Sequence, residues 1–250
     1  MDALLEVRGL SLDFAGVRAL AGVDLRVQSG EAVALVGPNG SGKTTLLNCI
    51  SGFYRPDRGA LELGGESLLG LAPDAIARRG VSRTFQDLRL FPGLSVLDNL
   101  LVGRHGRFTR RFGDALLRRR AEEMRQRRHC EELAERLGLA DWRARPAGEC
   151  PYGVQKRVEL GRALAAEPRL LLLDEPAAGL SAGERHELAS ALQALREPLG
   201  PGLVVVEHDL HWVSSLAGRM LALEQGRVIA AGTPSEVRSS PAVARAYLEV

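Results

Sequence analysis

Apolar and polar residues alternate along the first part of the chain. Leu5 and Val7, then Leu10, Leu12 and Phe14, then Val23, Leu25 and Val27 recur at every second position, the period of half-buried antiparallel strands. The pattern changes at 31–36, where Glu-Ala-Val-Ala-Leu-Val is nearly continuous in apolar residues and predicts a strand buried on both faces. A turn follows at 37–42, and the segment 43–50 puts Leu46, Leu47 and Ile50 on one side of a predicted helix. Apolar runs return at 170–173 and 203–206, and between them Leu188, Leu192, Leu195 and Leu199 recur at helical spacing. Two short strands, 220–223 and 228–231, are joined by Gln225-Gly226.

Strands that alternate with helices predict an α/β fold with a mainly parallel sheet and right-handed crossovers. From Asp87 to about Gly148 the chain turns helical and basic, with ten arginines between Arg104 and Arg128. This stretch reads as an insertion. The expected organisation is one domain: 1–86 and 161–250 supply an N-terminal antiparallel β-subdomain and an α/β core, and about 87–160 a helical subdomain.

Composition adds limits. The chain has 250 residues, 45% of them apolar, and its 33 basic and 31 acidic residues leave a formal net charge of +2. That balance gives no case for a dedicated nucleic-acid binder. Cys49, Cys130 and Cys150 are scattered, without CxxC or a nearby histidine pair, which fits a reducing compartment and offers no zinc spacing. The longest unbroken runs of Leu, Ile and Val span four residues, at 170–173 and 203–206, whereas a membrane-spanning helix needs roughly 20 apolar residues. The start, Met1-Asp2-Ala3-Leu4, carries no basic or apolar leader pattern, so a cytoplasmic chain is expected. The arginine-rich stretch admits three readings: a solvated helical face, a contact with a membrane subunit or anionic headgroups, or nucleic-acid binding supported by Phe108 and Phe112.

Chemistry enters at 37–44. Gly37, Pro38, Asn39, Gly40, Ser41, Gly42, Lys43 and Thr44 match G-x-x-x-x-G-K-[ST] between a predicted strand and a predicted helix. Glycines let the backbone wrap phosphate oxygens, and the helix N-terminus aims free N–H groups and positive dipole at them. Lys43 reaches the β- and γ-phosphates, the Thr44 hydroxyl ligates Mg²⁺, and Thr45 completes the candidate contacts. Lys43 and Lys156 are the sole lysines among the basic residues. The run Leu170-Leu-Leu-Leu173 ends in Asp174 and Glu175. Asp174 at the strand end is placed to help hold Mg²⁺, and Glu175 to polarise an attacking water as general base. The expected cofactors are ATP and Mg²⁺.

GTPases and P-loop kinases share those features, and a third element separates this chain from them. Cys150-Pro-Tyr-Gly-Val-Gln-Lys-Arg157, followed by Val158, Leu160, Ala163 and Leu164, resembles the L-S-G-G-Q signature region of ATP-binding cassette (ABC) ATPases. The remaining pieces come in the matching order. Phe14 lies where the adenine-stacking aromatic is found, and Thr84-Phe85-Gln86 resembles the glutamine loop. Ala178-Gly-Leu-Ser181 resembles the D-loop, and Val206-Glu-His208-Asp the switch-histidine loop. The chain departs from the pattern at Pro151, Tyr152, Val154 and Ser181; Gly153 keeps its backbone N–H at the start of the following helix. Asn48-Cys-Ile-Ser-Gly-Phe-Tyr54, Arg83-Thr-Phe-Gln-Asp-Leu-Arg-Leu-Phe91, Asp174-Glu-Pro-Ala-Ala-Gly-Leu180 and Pro241-Ala-Val-Ala-Arg-Ala-Tyr247-Leu look like the larger ATPase subunit of branched-chain amino-acid importers.

The resemblance implies a P-loop NTPase core of ABC type and ATP hydrolysis that drives solute import. It implies that Gln86 contacts Mg²⁺ or the attacking water, that His208 senses the γ-phosphate, and that two ATPase subunits sandwich ATP head-to-tail. Lys43, Thr44 and Asp174 of one would then face Tyr152, Gly153 and Gln155 of the other. It further implies two integral membrane permease subunits, an extracytoplasmic solute-binding protein, a peripheral place on the inner face of the cell membrane, and no nucleic acid. A urea or amide importer, an exporter's ATPase and a soluble non-transport ABC ATPase stay open as alternatives, because the solute is chosen by other chains.

Overall fold

The computed structural model describes residues 3–14, 16–107, 116–196 and 200–248. Phe108, Arg110, Arg111, Phe112 and Leu199 lie outside the described residues. Among the described residues ten strands run β1 (Leu5–Phe14), β2 (Val17–Val27), β3 (Ala32–Val36), β4 (Arg58–Leu63), β5 (Glu66–Ser67), β6 (Val81–Arg83), β7 (Leu170–Asp174), β8 (Gly202–Val206), β9 (Arg219–Glu224) and β10 (Arg227–Gly232). The helices are α1 (Lys43–Ile50), α2 (Pro73–Arg78), α3 (Val96–Gly103), α4 (Leu116–Arg136), α5 (Tyr152–Ala165), α6 (Ala182–Arg196), α7 (Leu210–Ser214), α8 (Pro234–Arg238) and α9 (Pro241–Leu248).

Two sheets form. One is antiparallel, in the order β2-β1-β4-β5, and the other has the order β10-β9-β3-β8-β7-β6 with parallel pairing from β9 to β6. The two alternating segments expected at 5–7 and 10–14 are one strand, β1, whose pairing with β2 shifts register between Val7 and Leu10. Gln225 and Gly226 both adopt positive φ, 45° and 75°, the geometry of a tight turn between paired strands.

The continuous apolar runs have a direct cause. Ala32, Ala34 and Val36, with Leu171, Leu173, Leu203 and Val205, face one core shared with α3, α4, α5 and α6. The alternate positions Val33, Leu35, Leu170, Leu172, Val204 and Val206 face a second core, with Leu46, Leu47 and Ile50 of α1 and the antiparallel sheet. A strand between two cores has no polar face to show. Truncating one such leucine to alanine costs about 2–5 kcal/mol.

The helical region differs in detail from its expected extent. Residues 87–94 are loop, held by Asn99, whose buried amide donates to the carbonyls of Phe91, Leu94 and Ser95 and accepts from Phe91 N–H at 2.9 Å. Its last helix, α5, runs on to Ala165. Arg104 departs from the solvated-face reading. It is buried, donates to Gln126 at 2.5 Å and to Ala165 O at 2.9 Å, and pairs with Glu167 at 2.9 Å. Further along α4, exposed Arg127 pairs with Glu131 at 3.2 Å.

Strand order sets the site. β3, β8 and β7 are neighbours and parallel, so the loops after Val36, Val206 and Asp174 leave the same edge of the sheet. That carboxyl edge is where open α/β sheets place their ligands.

Candidate active site

The loop between β3 and α1 is glycine-dependent at Gly37 and Gly42. Gly37 has φ +143° and a Cβ there would stand 2.1 Å from Leu223 O; Gly42 has φ +106° and a Cβ would stand 2.6 Å from Ala19 O. Asn39 and Gly40 form the exposed crest, and Gly226 N–H ties the loop down by donating to Ser41 O at 2.9 Å. Gly42 caps α1 without a side-chain bond, so the first-turn N–H groups keep no protein acceptor from that cap. Lys43 is 5% exposed and folds back over the loop, donating to Gly37 O and Pro38 O, each at 2.8 Å. Burial holds its ammonium below the usual lysine range, against the upward pull of Glu175 and Asp174. Thr44 is exposed at the loop's mouth and Thr45 half-buried behind it.

The three residues expected to act in hydrolysis meet. His208 Nε2 lies 2.7 Å from Glu175 Oε1, and Gln86 Nε2 donates to Glu175 Oε2 at 3.2 Å. Glu175 has φ +49°, a left-handed conformation that costs a side-chain-bearing residue about 1–3 kcal/mol and persists only where its surroundings enforce it. Asp174, one residue earlier, lies beside the phosphate loop, with Thr44 Oγ1 donating to its Oδ1 at 3.4 Å.

Arg83, Glu207 and Tyr247 also belong to this site, and sequence reasoning assigned them no part in it. Arg83 pairs with Asp174 at 2.9 Å, with side chains 6% and 3% exposed, and donates to Asn48 at 2.6 Å and Ser51 at 3.0 Å. Its guanidinium lies over the Phe85 ring, 5.1 Å from the centroid. Glu207 is buried, which raises its carboxyl pKa against two N–H hydrogen bonds, from Ala177 and His208, that lower it. Tyr247 of α9 accepts from Gly37 N–H at 2.9 Å. The pairings of Arg83 with Asp174, Glu207 with Ala177 and Tyr247 with Gly37 have no local signal, since these partners lie far apart in the chain; the three residues stand out in the sequence only within stretches that carry the resemblance.

Helix α5 approaches the glutamine loop from the other side. Lys156 donates to Gln86 O at 3.4 Å, and Glu159, also buried, accepts from Arg89 N–H at 3.4 Å. Among the described residues no hydrogen bond or ion pair joins Tyr152, Gly153 or Gln155 to the phosphate loop. Tyr152 lies against Gly179, Gly153 lies against the Glu184 carboxylate, and the Gln155 amide turns back to Cys150 O at 2.8 Å. Phe14 is 42% exposed and meets Tyr54 edge-on, with ring centroids 5.0 Å apart.

A glycine-wrapped loop at a helix N-terminus, a buried lysine and a buried strand ending in two carboxylates define a P-loop nucleotide site. The chain belongs to the ABC transporter family, whose sequence model matches residues 20–178. A second model, described as branched-chain amino acid ATP-binding cassette transporter, matches 227–248. The chain is 40% identical over 248 residues to the high-affinity branched-chain amino acid transport ATP-binding protein BraF of Pseudomonas aeruginosa, covering 98% of this chain and 97% of that protein. It is 41% identical to the protein of the same description, LivG, of Salmonella typhimurium, with the same coverage. Among solved structures it resembles an ATP-binding cassette of an ABC transporter in its ADP conformation, with TM-score 0.87, 28% identity and 100% of both chains covered. It also resembles a nucleotide-free cassette, with TM-score 0.85, 29% identity and 98% and 99% covered. The chain is thus an ATP-binding cassette that hydrolyses ATP.

Proposed function

We propose that this chain is the ATP-hydrolysing subunit of an importer for branched-chain or related amino acids. In this reading it works at the inner face of the membrane with a second ATPase subunit and two integral permease subunits, fed by an extracytoplasmic solute-binding protein, and binds no nucleic acid. Support comes from relatives of that description matched over nearly the whole of both chains and from the C-terminal match at 227–248. Residues 87–160 are taken as the helical subdomain that meets the permeases.

The observation that carries the chemistry is Glu175 held between His208 and Gln86 beside the phosphate loop. Lys43 exchanges its two loop carbonyls for β- and γ-phosphate oxygens, while the N–H groups of 40–45 receive the rest of that charge. Phe14 offers a half-open ring for adenine. Thr44, Gln86 and Asp174 supply hydroxyl, amide and carboxylate oxygens, the hard donors that suit Mg²⁺, and Asp174 already faces Thr44. An Mg²⁺ ion held by these residues would neutralise charge that develops on the phosphates. Glu175 takes the proton of the attacking water, and His208 and Gln86 hold its two oxygens in place until phosphate arrives. Tyr152, Gly153 and Gln155 face the nucleotide of the neighbouring subunit, with Gly153 N–H as the anion donor.

Uptake of labelled leucine, isoleucine, valine and urea by cells carrying wild-type chain or Glu175→Gln tests the assignment. Loss of branched-chain uptake in the variant is expected. Loss of urea uptake with intact leucine uptake would move the chain to a urea importer, and loss of neither would refute a role in import of these solutes.

A further inference from the structure

Glu207 immediately precedes His208 and reaches across the sheet edge to the loop that carries Glu175. Its Oε1 accepts from Ala177 N–H at 2.8 Å, and its Oε2 from His208 N–H at 3.3 Å. Its own N–H donates to Leu35 O at 3.3 Å, at the end of β3. One carboxylate, 5% exposed, therefore spans the loops after β7 and β8, with its backbone fixed to β3. A carboxylate in that environment is costly unless its acceptors are used, and an apolar residue would fill the space without that cost. What the carboxylate adds is a fixed distance between two backbones.

We infer that Glu207 is a positioning residue for hydrolysis, which sets the separation of Glu175 and His208 by gripping Ala177 and His208 together. The anchored geometry is specific. Asp174 pairs in register with Val206, and Glu175 N–H donates to Val206 O at 3.0 Å. The ladder then ends, and Glu175 turns to φ +49°. The next contact from β8's own continuation that holds the turned segment is Glu207 on Ala177. Without it, Glu175 keeps its side chain but loses the frame that presents it to His208 at 2.7 Å. The inference rests on the assignment of Glu175 and His208 to hydrolysis.

The test compares Glu207→Ala and Glu207→Gln with wild type and Glu175→Gln, in the preparation in which the wild-type chain turns over ATP. For Glu207→Ala, kcat should fall at least about tenfold while KM for ATP stays within about twofold, the signature of a lost transition-state arrangement. Glu207→Gln retains an acceptor for Ala177 N–H and should recover to within about threefold of wild type. Hydrogen exchange followed by mass spectrometry should show the peptide over 174–180 opening faster in Glu207→Ala and near wild type in Glu207→Gln. Wild-type kcat in Glu207→Ala would overturn the inference. So would parallel changes in KM and kcat, or a glutamine variant no better than alanine. If Glu175→Gln itself turns over normally, the site assignment fails; if it is inactive and Glu207→Ala is not impaired, positioning alone fails.

Discussion

Arg83 and Asp174 form an ion pair at 2.9 Å with both side chains almost completely withdrawn from water, although 91 residues separate them in the chain. The pair joins the edge strand β6 to the end of β7, and Arg83 also reaches Asn48 of α1 and Ser51 at the C-terminal cap of that helix. Asp174 is thereby aimed at Thr44 rather than left free at the strand end.

Breaking a buried pair strands a charge and costs about 3–5 kcal/mol. Arg83→Ala is therefore expected to lower the thermal midpoint on the order of 10 °C, at roughly 2–4 °C per kcal/mol for a domain of this size. Arg83→Lys should recover only part of this, because a compact ammonium cannot serve three acceptors in a planar fork. Circular dichroism melts of the two variants check both statements.

Lys43 spans the loop carbonyls of Gly37 and Pro38 and is the cation nearest the expected phosphates. Lys43→Ala should weaken ATP binding by at least about a hundredfold, a loss of roughly 3 kcal/mol. Calorimetric titration with MgATP reads this directly, and an affinity equal to wild type would detach the loop from phosphate binding.

The Tyr247 hydroxyl accepts from Gly37 N–H, so α9 steadies the first residue of the phosphate loop. Tyr247→Phe leaves that donor without its partner, at about 1–3 kcal/mol. The expected result is a raised KM for ATP with kcat little changed, measured in steady-state hydrolysis.

All three cysteines are buried, and burial pushes the Cys49 thiol up to about 12 and Cys130 up to about 11. A raised acid pKa keeps both as thiols in the fold at pH 8, so alkylation of the native protein should be slow and become complete only in denaturant. Unfolded thiols ionise from about pH 9 upward, which favours the unfolded state, so stability should fall as pH rises from there toward the folded pKa values. Timed labelling with mass analysis and melts across that range test each part.

The parts of this molecule that could be read in advance are those written in consecutive residues. The phosphate loop carries its glycines, lysine and threonine within one stretch, and Asp174 and Glu175 end an unbroken apolar run. Both strands of that core are apolar throughout because each is covered on two faces, which periodicity alone reports. Other features depend on partners far along the chain. Arg83 is ordinary until Asp174 is brought beside it, and Glu207 looks like any polar residue after a strand until Ala177 arrives 30 residues away in sequence. The loop at 87–94 carries a local breaker in Pro92-Gly93, whereas the hold of Asn99 on its carbonyls is a packing effect that the sequence pattern does not show. β4 opens on exposed Arg58 and Gly59 and buries only Leu61 and Leu63, too few apolar positions to set a period.

The most direct measurement is steady-state ATP hydrolysis by Glu175→Gln beside wild type, with MgATP binding determined on the same samples. The account predicts nucleotide affinity near wild type and turnover reduced by at least about a hundredfold, since a general base typically contributes 10² to 10⁴ in rate. Turnover equal to wild type with normal binding would contradict it, and the base would have to be sought elsewhere at the sheet edge.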